Sequence, residues 1–290
     1  MAAIAGNASP GMEALRPLEL GELLDRTFSL YRRYFMTFVL IAAAPYLVSF
    51  AAGLLVSSGR SAMAEPGRGP TLSISILLGS LILMVFSLFA AAAAQAASFF
   101  AVSEAYLGRP TTFGAAYRQA KGKLTVLVGT AFYVGLAVAG GFILLVIPGL
   151  IVLCRSCVAI PSVILEGLGP REGFKRSMEL TKGYAWRAAA ILGLTFIIAM
   201  VAGFIFQYPI QFVAIMLKDT PAAPIWIFVG QVGNLVAQCL AGPIAYIAMT
   251  LFYYDLRVRK EGFDLERLLS GIGGQSAIGG MTPGPLGSIR

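Results

Sequence analysis

Long apolar stretches alternate with short segments of mixed polarity along most of this chain. A transmembrane helix needs about 20 mostly apolar residues, and six stretches meet or approach that length. They cover residues 35–56, 72–103, 124–147, 150–165, 187–216 and 223–254. The pattern predicts an all-α protein, a polytopic membrane helix bundle with six transmembrane helices.

The first segment of mixed polarity has the periodicity of a helix that lies in a membrane interface. Leu20, Leu24 and Phe28 fall on one helical face, whereas Asp25 and Arg32 fall on the other. A helix with one apolar face and one basic face lies in the interface rather than crossing the membrane. We therefore expect this segment to lead into the first span along the membrane surface.

The spacing of an acid and a phenylalanine recurs after every second apolar stretch. The pairs are Glu104 with Phe113, Glu166 with Phe174 and Asp255 with Phe263, separated by basic residues. A repeat in phase with the spans predicts three two-helix units, each preceded by a cytoplasmic amphipathic interfacial helix. Because the helix dipole disfavours negative charge at a C-terminal end, the three acids are predicted to form structural interfacial salt bridges with nearby Lys and Arg. A proton or ion site is the alternative.

Composition supports a membrane protein and disfavours an enzyme. The chain is 58% hydrophobic and 12% charged, against about 25% charged in an ordinary soluble domain. It has no histidine, which removes the commonest general base and metal ligand. We predict no catalytic residue, no metal and no cofactor. Residues 1–17 are predicted to be a disordered tail, 18–269 the membrane domain and 270–290 a flexible tail.

The distribution of Lys and Arg predicts the orientation. Of the 22 basic residues, only Arg60, Arg68 and Lys218 fall on the side opposite the termini. Because cytoplasmic loops carry the excess of Lys and Arg, both termini are predicted to be cytoplasmic. The net charge of +8 is then explained by anionic headgroups at the cytoplasmic face of the lipid bilayer, rather than by nucleic acid. Membrane protein partners are also compatible with this pattern.

Arg155 lies within the fourth predicted span, and an arginine inside a membrane marks a candidate functional site. Five amides are predicted at similar depth in the fifth and sixth spans: Gln207, Gln211, Gln231, Asn234 and Gln238. Packed together, they would satisfy the guanidinium and leave donors for an anionic or amide ligand. The alternatives are polar contacts that only join helices, and an Arg155 side chain that reaches to the outer headgroups.

Several motifs occur in an order that resembles a known bacterial family. They are Leu18-Glu19-Leu20-Gly21-Glu22-Leu23-Leu24-Asp25-Arg26, Ile147-Pro148-Gly149, Leu165-Glu166-Gly167 and Tyr253-Tyr254-Asp255-Leu256-Arg257. Over residues 16–266 the chain resembles the glycerophosphoryl diester phosphodiesterase membrane domain. The resemblance implies a six-span domain of the bacterial cytoplasmic (inner) membrane. It does not imply phosphodiesterase activity, because the histidines and metal-binding acids of the catalytic barrel have no counterpart in this sequence.

The function that best fits these features is non-catalytic. We expect an integral membrane protein that organises lipids or partner proteins at the cytoplasmic face. The alternative is a transporter or lipid-handling protein with a polar site around Arg155, in the outer half of helices 4–6. An enzyme is least favoured, because the sequence has no nucleophile motif and no phosphate-binding loop.

Overall fold

The computed structural model describes residues 17–63, 70–106, 111–217 and 220–278. In this part of the chain all regular structure is helical, which confirms the predicted all-α class. The helices are α1 (Leu20–Arg33), α2 (Phe35–Met63), α3 (Pro70–Tyr106), α4 (Phe113–Ala120), α5 (Leu124–Leu144), α6 (Val146–Ser156), α7 (Ala159–Glu166), α8 (Pro170–Leu180), α9 (Ala185–Phe206), α10 (Tyr208–Met216) and α11 (Ala223–Ile278).

Five of the described helical stretches are long and apolar enough to cross a membrane. They are Leu78–Tyr106, Phe113–Leu144, Val146–Glu166, Ala185–Phe206 and Ala223–Gly262. A sixth is possible if Leu20–Arg33 and Phe35–Ala51, which meet at an angle of 84°, count as one broken span. The apolar helices therefore agree with a multi-pass membrane protein, while the arrangement as six spans in three units stays a prediction.

The turn between α5 and α6 shows how apolar the outer surface is. Ile143, Leu144 and Ile147 are 84%, 76% and 72% exposed. Side chains of this kind rarely form a continuous exposed patch on a soluble protein, whereas contact with lipid stabilises them. The two helices approach closely here, because a Cβ atom on Gly141 would lie 2.9 Å from the Cα atom of Gly149.

Prolines interrupt two of the predicted spans. The fourth span is divided into α6 and α7, and Pro161 lies three residues into the second of these helices. Its ring nitrogen cannot donate to the carbonyl of Cys157, which ends the hydrogen-bond ladder at that point. Pro209 acts in the same way just after the break at Gln207, between α9 and α10.

The described chain divides into two compact units, and the predicted domain boundaries stay a prediction. One unit is Glu19–Tyr253, and the other combines Met1–Leu18 with Tyr254–Arg290, of which residues 17–18 and 254–278 are described. The last helix continues to Ile278, past the predicted end of the membrane domain at residue 269. Extension of an existing helix costs little per residue, since the costly nucleation step is already complete. Residues 279–290 of the predicted tail, and residues 1–16 of the N-terminal tail, lie outside the described residues.

Candidate functional site

A tight reversal of the chain places α8 against α7. Gly167 ends α7 with a φ of 72°, a left-handed conformation that glycine adopts without strain. The N–H of Gly169 donates to the Glu172 carboxylate at 3.2 Å, which satisfies one of the free donors at the start of α8. The two helices then lie close together, because a Cβ atom on Gly173 would be 2.1 Å from Cγ2 of Val163.

Arg155 uses both its side chain and its backbone to hold α8. Its Nη2 donates to the carbonyl of Met178 at 2.8 Å. Its own carbonyl accepts hydrogen bonds from Oγ of Ser177 at 2.7 Å and Oγ1 of Thr181 at 3.0 Å. Within the described chain, the buried Nε of Arg155 has no hydrogen-bond partner. Arg155 therefore joins α6 to α8.

The end of α7 is held by a carboxylate with two partners. The Nε of Arg176 donates to both oxygens of Glu166, at 3.1 and 3.0 Å. The hydroxyl of Tyr253 donates to the same carboxylate at 2.7 Å. Lys123 also donates to the carbonyl of Ile164. The α6–α8 cluster, defined as Arg155, Glu166, Arg176, Ser177 and Thr181, thus has most of its polar groups paired within the protein.

The other two predicted interfacial acids also have partners. In the unit that contains Leu18 and residues 254–278, Asp255 accepts a hydrogen bond from the backbone N–H of Leu18 at 2.8 Å. The Nε of Arg259 donates to both oxygens of Asp255 at 3.0 Å. Arg259 Nη2 also donates to the Leu18 carbonyl at 2.6 Å. Glu104, half-buried near the end of α3, has a polar partner as well. A salt-bridge ring that links all three acids stays a prediction.

The five predicted amides lie together, but apart from Arg155. Gln207 occupies the break between α9 and α10, and Gln211 follows one turn later on α10. Gln231, Asn234 and Gln238 lie along one stripe of α11. The guanidinium donates to the Met178 carbonyl, and Arg155 lines none of the cavities that these amides line, so a site shared by Arg155 and the amides stays a prediction. A backbone carbonyl close in space satisfies the charge without the amides.

Three adjoining cavities are lined by these amides, which we call the amide cluster (Gln207, Gln211, Gln231, Asn234 and Gln238). The largest is about 390 Å³, and its walls include Gln207, Gln211, Gln231, Asn234 and Trp226. The others are about 210 and 170 Å³, and Gln238 lines both. Neighbouring cavities share lining residues (Gln207, Gln231, Asn234 and Gln238), so the five amides lie close to one another within an apolar group of helices.

Gly233 allows α11 to pack closely beside the break between α9 and α10. A Cβ atom on Gly233 would lie only 2.0 Å from the carbonyl oxygen of Phe206, so any larger residue would force the helices apart. This contact brings residues 231 and 234 to the level of residue 207. The amide oxygen of Gln231 in turn lies against Gly53 of α2, where an added Cβ would approach it to 2.7 Å.

The amide side chains of the cluster have no hydrogen-bond partner within the described part of the protein. Each amide offers two donors and an acceptor with two lone pairs. In an apolar environment an unpaired amide costs free energy. The arrangement is therefore suited to hold water or a polar ligand. Trp226 and Tyr46, which line the cavities, were missed from sequence. Trp226 lies five residues before Gln231. From this spacing alone, Trp226 could equally be an aromatic residue that faces lipid.

Comparisons of the chain with protein families, with characterised proteins and with solved structures found no match. The resemblance to the glycerophosphoryl diester phosphodiesterase membrane domain accordingly stays a prediction based on the sequence motifs alone. The features that bear on function are the two polar clusters and the exposed basic residues of α1, α4 and α8.

Proposed function

We propose that this protein is a non-catalytic, multi-pass membrane protein that organises anionic lipids at the cytoplasmic face of a membrane. The observation that carries the proposal is the fixed position of α8. Its small and apolar residues Gly173, Ser177 and Leu180 are buried, so its opposite face points outward. Arg176 pairs with Glu166, whereas the other basic residues of α8, and Lys182 just after its end, lie on the outside. Arg171, Lys175 and Lys182 are all exposed.

Two more amphipathic helices, α1 and α4, support the same function. Arg32 and Arg33 at the end of α1 are exposed, as are Arg118 and Lys121 at the end of α4. A basic residue near an anionic membrane surface contributes about 1 kcal/mol of attraction. Three short helices with exposed basic residues would therefore concentrate anionic lipids, or an acidic segment of a membrane protein partner, around the bundle.

The proposal includes a topology. Both termini and the three short helices lie in the cytoplasm of a bacterium, with six spans in the inner membrane. The excess of Lys and Arg on one side of the spans supports this orientation. Reporter fusions test it: a fusion at Pro221 should report the outside, and fusions at Gly169 and Gly273 the inside. A single reversed signal would reject the three-unit arrangement.

Lipid selectivity tests the function itself. The protein is purified in mild detergent from membranes that contain phosphatidylglycerol and phosphatidylethanolamine, and the bound lipids are measured by mass spectrometry. The substitutions Arg171→Gln, Lys175→Gln and Lys182→Gln together should reduce the bound phosphatidylglycerol by several-fold, since three attractive charges are lost.

A charge-preserving variant provides the control. Arg171→Lys, Lys175→Arg and Lys182→Arg retain the positive charge at the same positions, so phosphatidylglycerol should remain bound. An unchanged ratio of the two lipids in the Gln variant would overturn the proposal. Loss in both variants would show that side-chain shape, and not charge, determines binding.

The amide cavities favour a second candidate, a transporter or lipid-handling protein. A cavity of about 390 Å³, lined by both amides and apolar side chains, is within the usual size range of ligand sites. The test is the rate at which a fluorescent lipid moves between the leaflets of reconstituted vesicles. Acceleration by the wild-type protein, reduced by Gln231→Leu, would support this function, and protein-free rates would exclude it.

A further inference from the structure

The largest cavity of the amide cluster has the features of a binding site, and its walls restrict the chemistry of the ligand. Gln207, Gln211, Gln231 and Asn234 supply polar groups, and Trp226 supplies a flat apolar wall with one N–H donor. Amides both donate and accept hydrogen bonds, so they match a ligand with several hydroxyl groups. None of these four side chains makes a hydrogen bond to another described residue.

Charge excludes an anionic ligand. The residues that line the three cavities include no Asp, Glu, Lys or Arg in the described part of the chain. Arg155, the nearest candidate from sequence, donates instead to the Met178 carbonyl on α8. A phosphate buried here would lack the charged partner that phosphate sites use. The cavity therefore suits an uncharged group.

The surroundings of the cavity indicate that the ligand has an apolar part. Ile215 and Ile227 line it and are 56% and 44% exposed, and Phe212 and Ile225 nearby are 62% and 64% exposed. These side chains face outward from a membrane-type bundle, where acyl chains would cover them. A soluble sugar would leave this apolar surface without a partner, whereas a lipid would cover it.

We propose that the cavity binds the uncharged, hydroxyl-bearing headgroup of a glycolipid, with the acyl chains against α10 and the start of α11. Hydroxyl groups of the headgroup would take the place of the missing hydrogen-bond partners of Gln207, Gln231 and Asn234. This inference goes beyond the proposed function. It shares no residue with the basic surface of α8, so either proposal can fail while the other holds.

Tryptophan fluorescence provides a direct test. The chain has two tryptophans, Trp186 and Trp226, and Trp186 is 84% exposed. In a Trp186→Phe protein, Trp226 reports on the cavity alone. The protein is reconstituted in phosphatidylcholine vesicles, and quenching is compared between monogalactosyl diacylglycerol, phosphatidylglycerol and phosphatidylcholine that carry the same brominated chains. The galactolipid should be preferred over phosphatidylglycerol by at least about fivefold.

Variants locate the site. Gln231→Leu with Asn234→Leu should abolish the preference, because both amides line the largest cavity. Gln238→Leu is the matched control: it removes an amide from the same stripe of α11, but this residue lines only the two smaller cavities. It should keep the preference, and equal loss in this variant would overturn the assignment. If the double variant does not fold, Gln211→Leu replaces it and should weaken the preference, since Gln211 lines the same cavity and is exposed.

Other results of the quenching experiment would overturn the proposal. Equal quenching by the three lipids would show that the cavity holds water only and would overturn the proposal. A preference for phosphatidylglycerol would do the same, because it would require a cation that the cavity lacks. Methyl galactoside is added as a competitor, and it should not restore fluorescence. If it does, the ligand is a soluble carbohydrate and the lipid assignment is wrong.

Discussion

Two polar clusters lie in the same apolar protein, and their side chains are satisfied in different ways. In the α6–α8 cluster, Glu166 contacts Arg176 and Tyr253, and the Arg155 carbonyl accepts bonds from Ser177 and Thr181. In the amide cluster, no side chain bonds to another described residue, and cavities fill the space between them.

The comparison distinguishes polar side chains that stabilise the fold from polar side chains that remain available to bind a ligand. A buried polar group that already has protein partners stabilises the fold and loses that contribution when the partner is removed. A polar group that lines a cavity without such partners adds little to stability, and can instead bind water or a ligand. Substitutions in the two clusters should therefore have opposite effects on stability and on ligand binding.

The largest expected effect is at the contact between α7 and α8. Gly173→Ala places a Cβ atom 2.1 Å from Cγ2 of the buried Val163, so the valine side chain or the helices must shift. We expect a loss of roughly 1–3 kcal/mol in stability, measured by thermal unfolding in detergent. Gly114→Ala on α4 is the control, since no atom lies within 4 Å of its added Cβ. Equal melting temperatures for the two variants would show that α8 is not closely packed.

The next effect concerns the carboxylate shared by Arg176 and Tyr253. Glu166→Ala leaves both donors without their acceptor and should cost roughly 1–2 kcal/mol, reduced from the fully buried value because the side chain is 17% exposed. Glu166→Gln keeps an oxygen for one of them and should cost less. The same unfolding experiment measures both, and an Ala variant as stable as the Gln variant would contradict the expectation.

A smaller effect is expected at Arg155. Arg155→Met keeps the unbranched apolar stem of the side chain but removes its hydrogen bond to the Met178 carbonyl, which should cost about 1 kcal/mol. Because Arg155 lines none of the three cavities, the lipid preference measured at Trp226 should not change. A loss of that preference without a loss of stability would return Arg155 to the binding site and remove the distinction between the clusters.

The smallest effect on stability is expected in the amide cluster. Gln231→Leu and Asn234→Leu each replace an amide that has no described protein partner by an apolar group of similar size. Stability should change by less than about 0.5 kcal/mol, or rise slightly. A loss of stability as large as that of Glu166→Ala would mean that the amides hold the helices together. That is the alternative in which these polar residues only join helices.

Much of the architecture could be predicted from the pattern of residues. Apolar stretches of sufficient length identified the helices, and the face shared by Leu20, Leu24 and Phe28 predicted α1. Helix breaks were harder to predict. The fourth and fifth predicted spans each contain a proline near a break, and a single sequence does not show whether a proline bends a helix or divides it.

The candidate site was predicted in part. The spacing of Gln231, Asn234 and Gln238 placed them on one stripe of a helix, and the structure brings Gln207 and Gln211 beside that stripe. Their meeting depends on the close approach of Gly233 to the Phe206 carbonyl. Helix periodicity predicts which residues share one face of a helix. It does not predict at which point along its axis that helix contacts another.

The sequence by itself determined the helical class, the membrane character and the residues able to form polar clusters, because composition and periodicity are local properties of the chain. Only the tertiary structure decided which polar groups are already paired. Arg155 finds a backbone carbonyl on α8, and a carbonyl is present at every residue, so no side-chain pattern identifies it. The amides find no such partner among the described residues. That difference depends on distances between helices, which the order of residues along one helix does not contain.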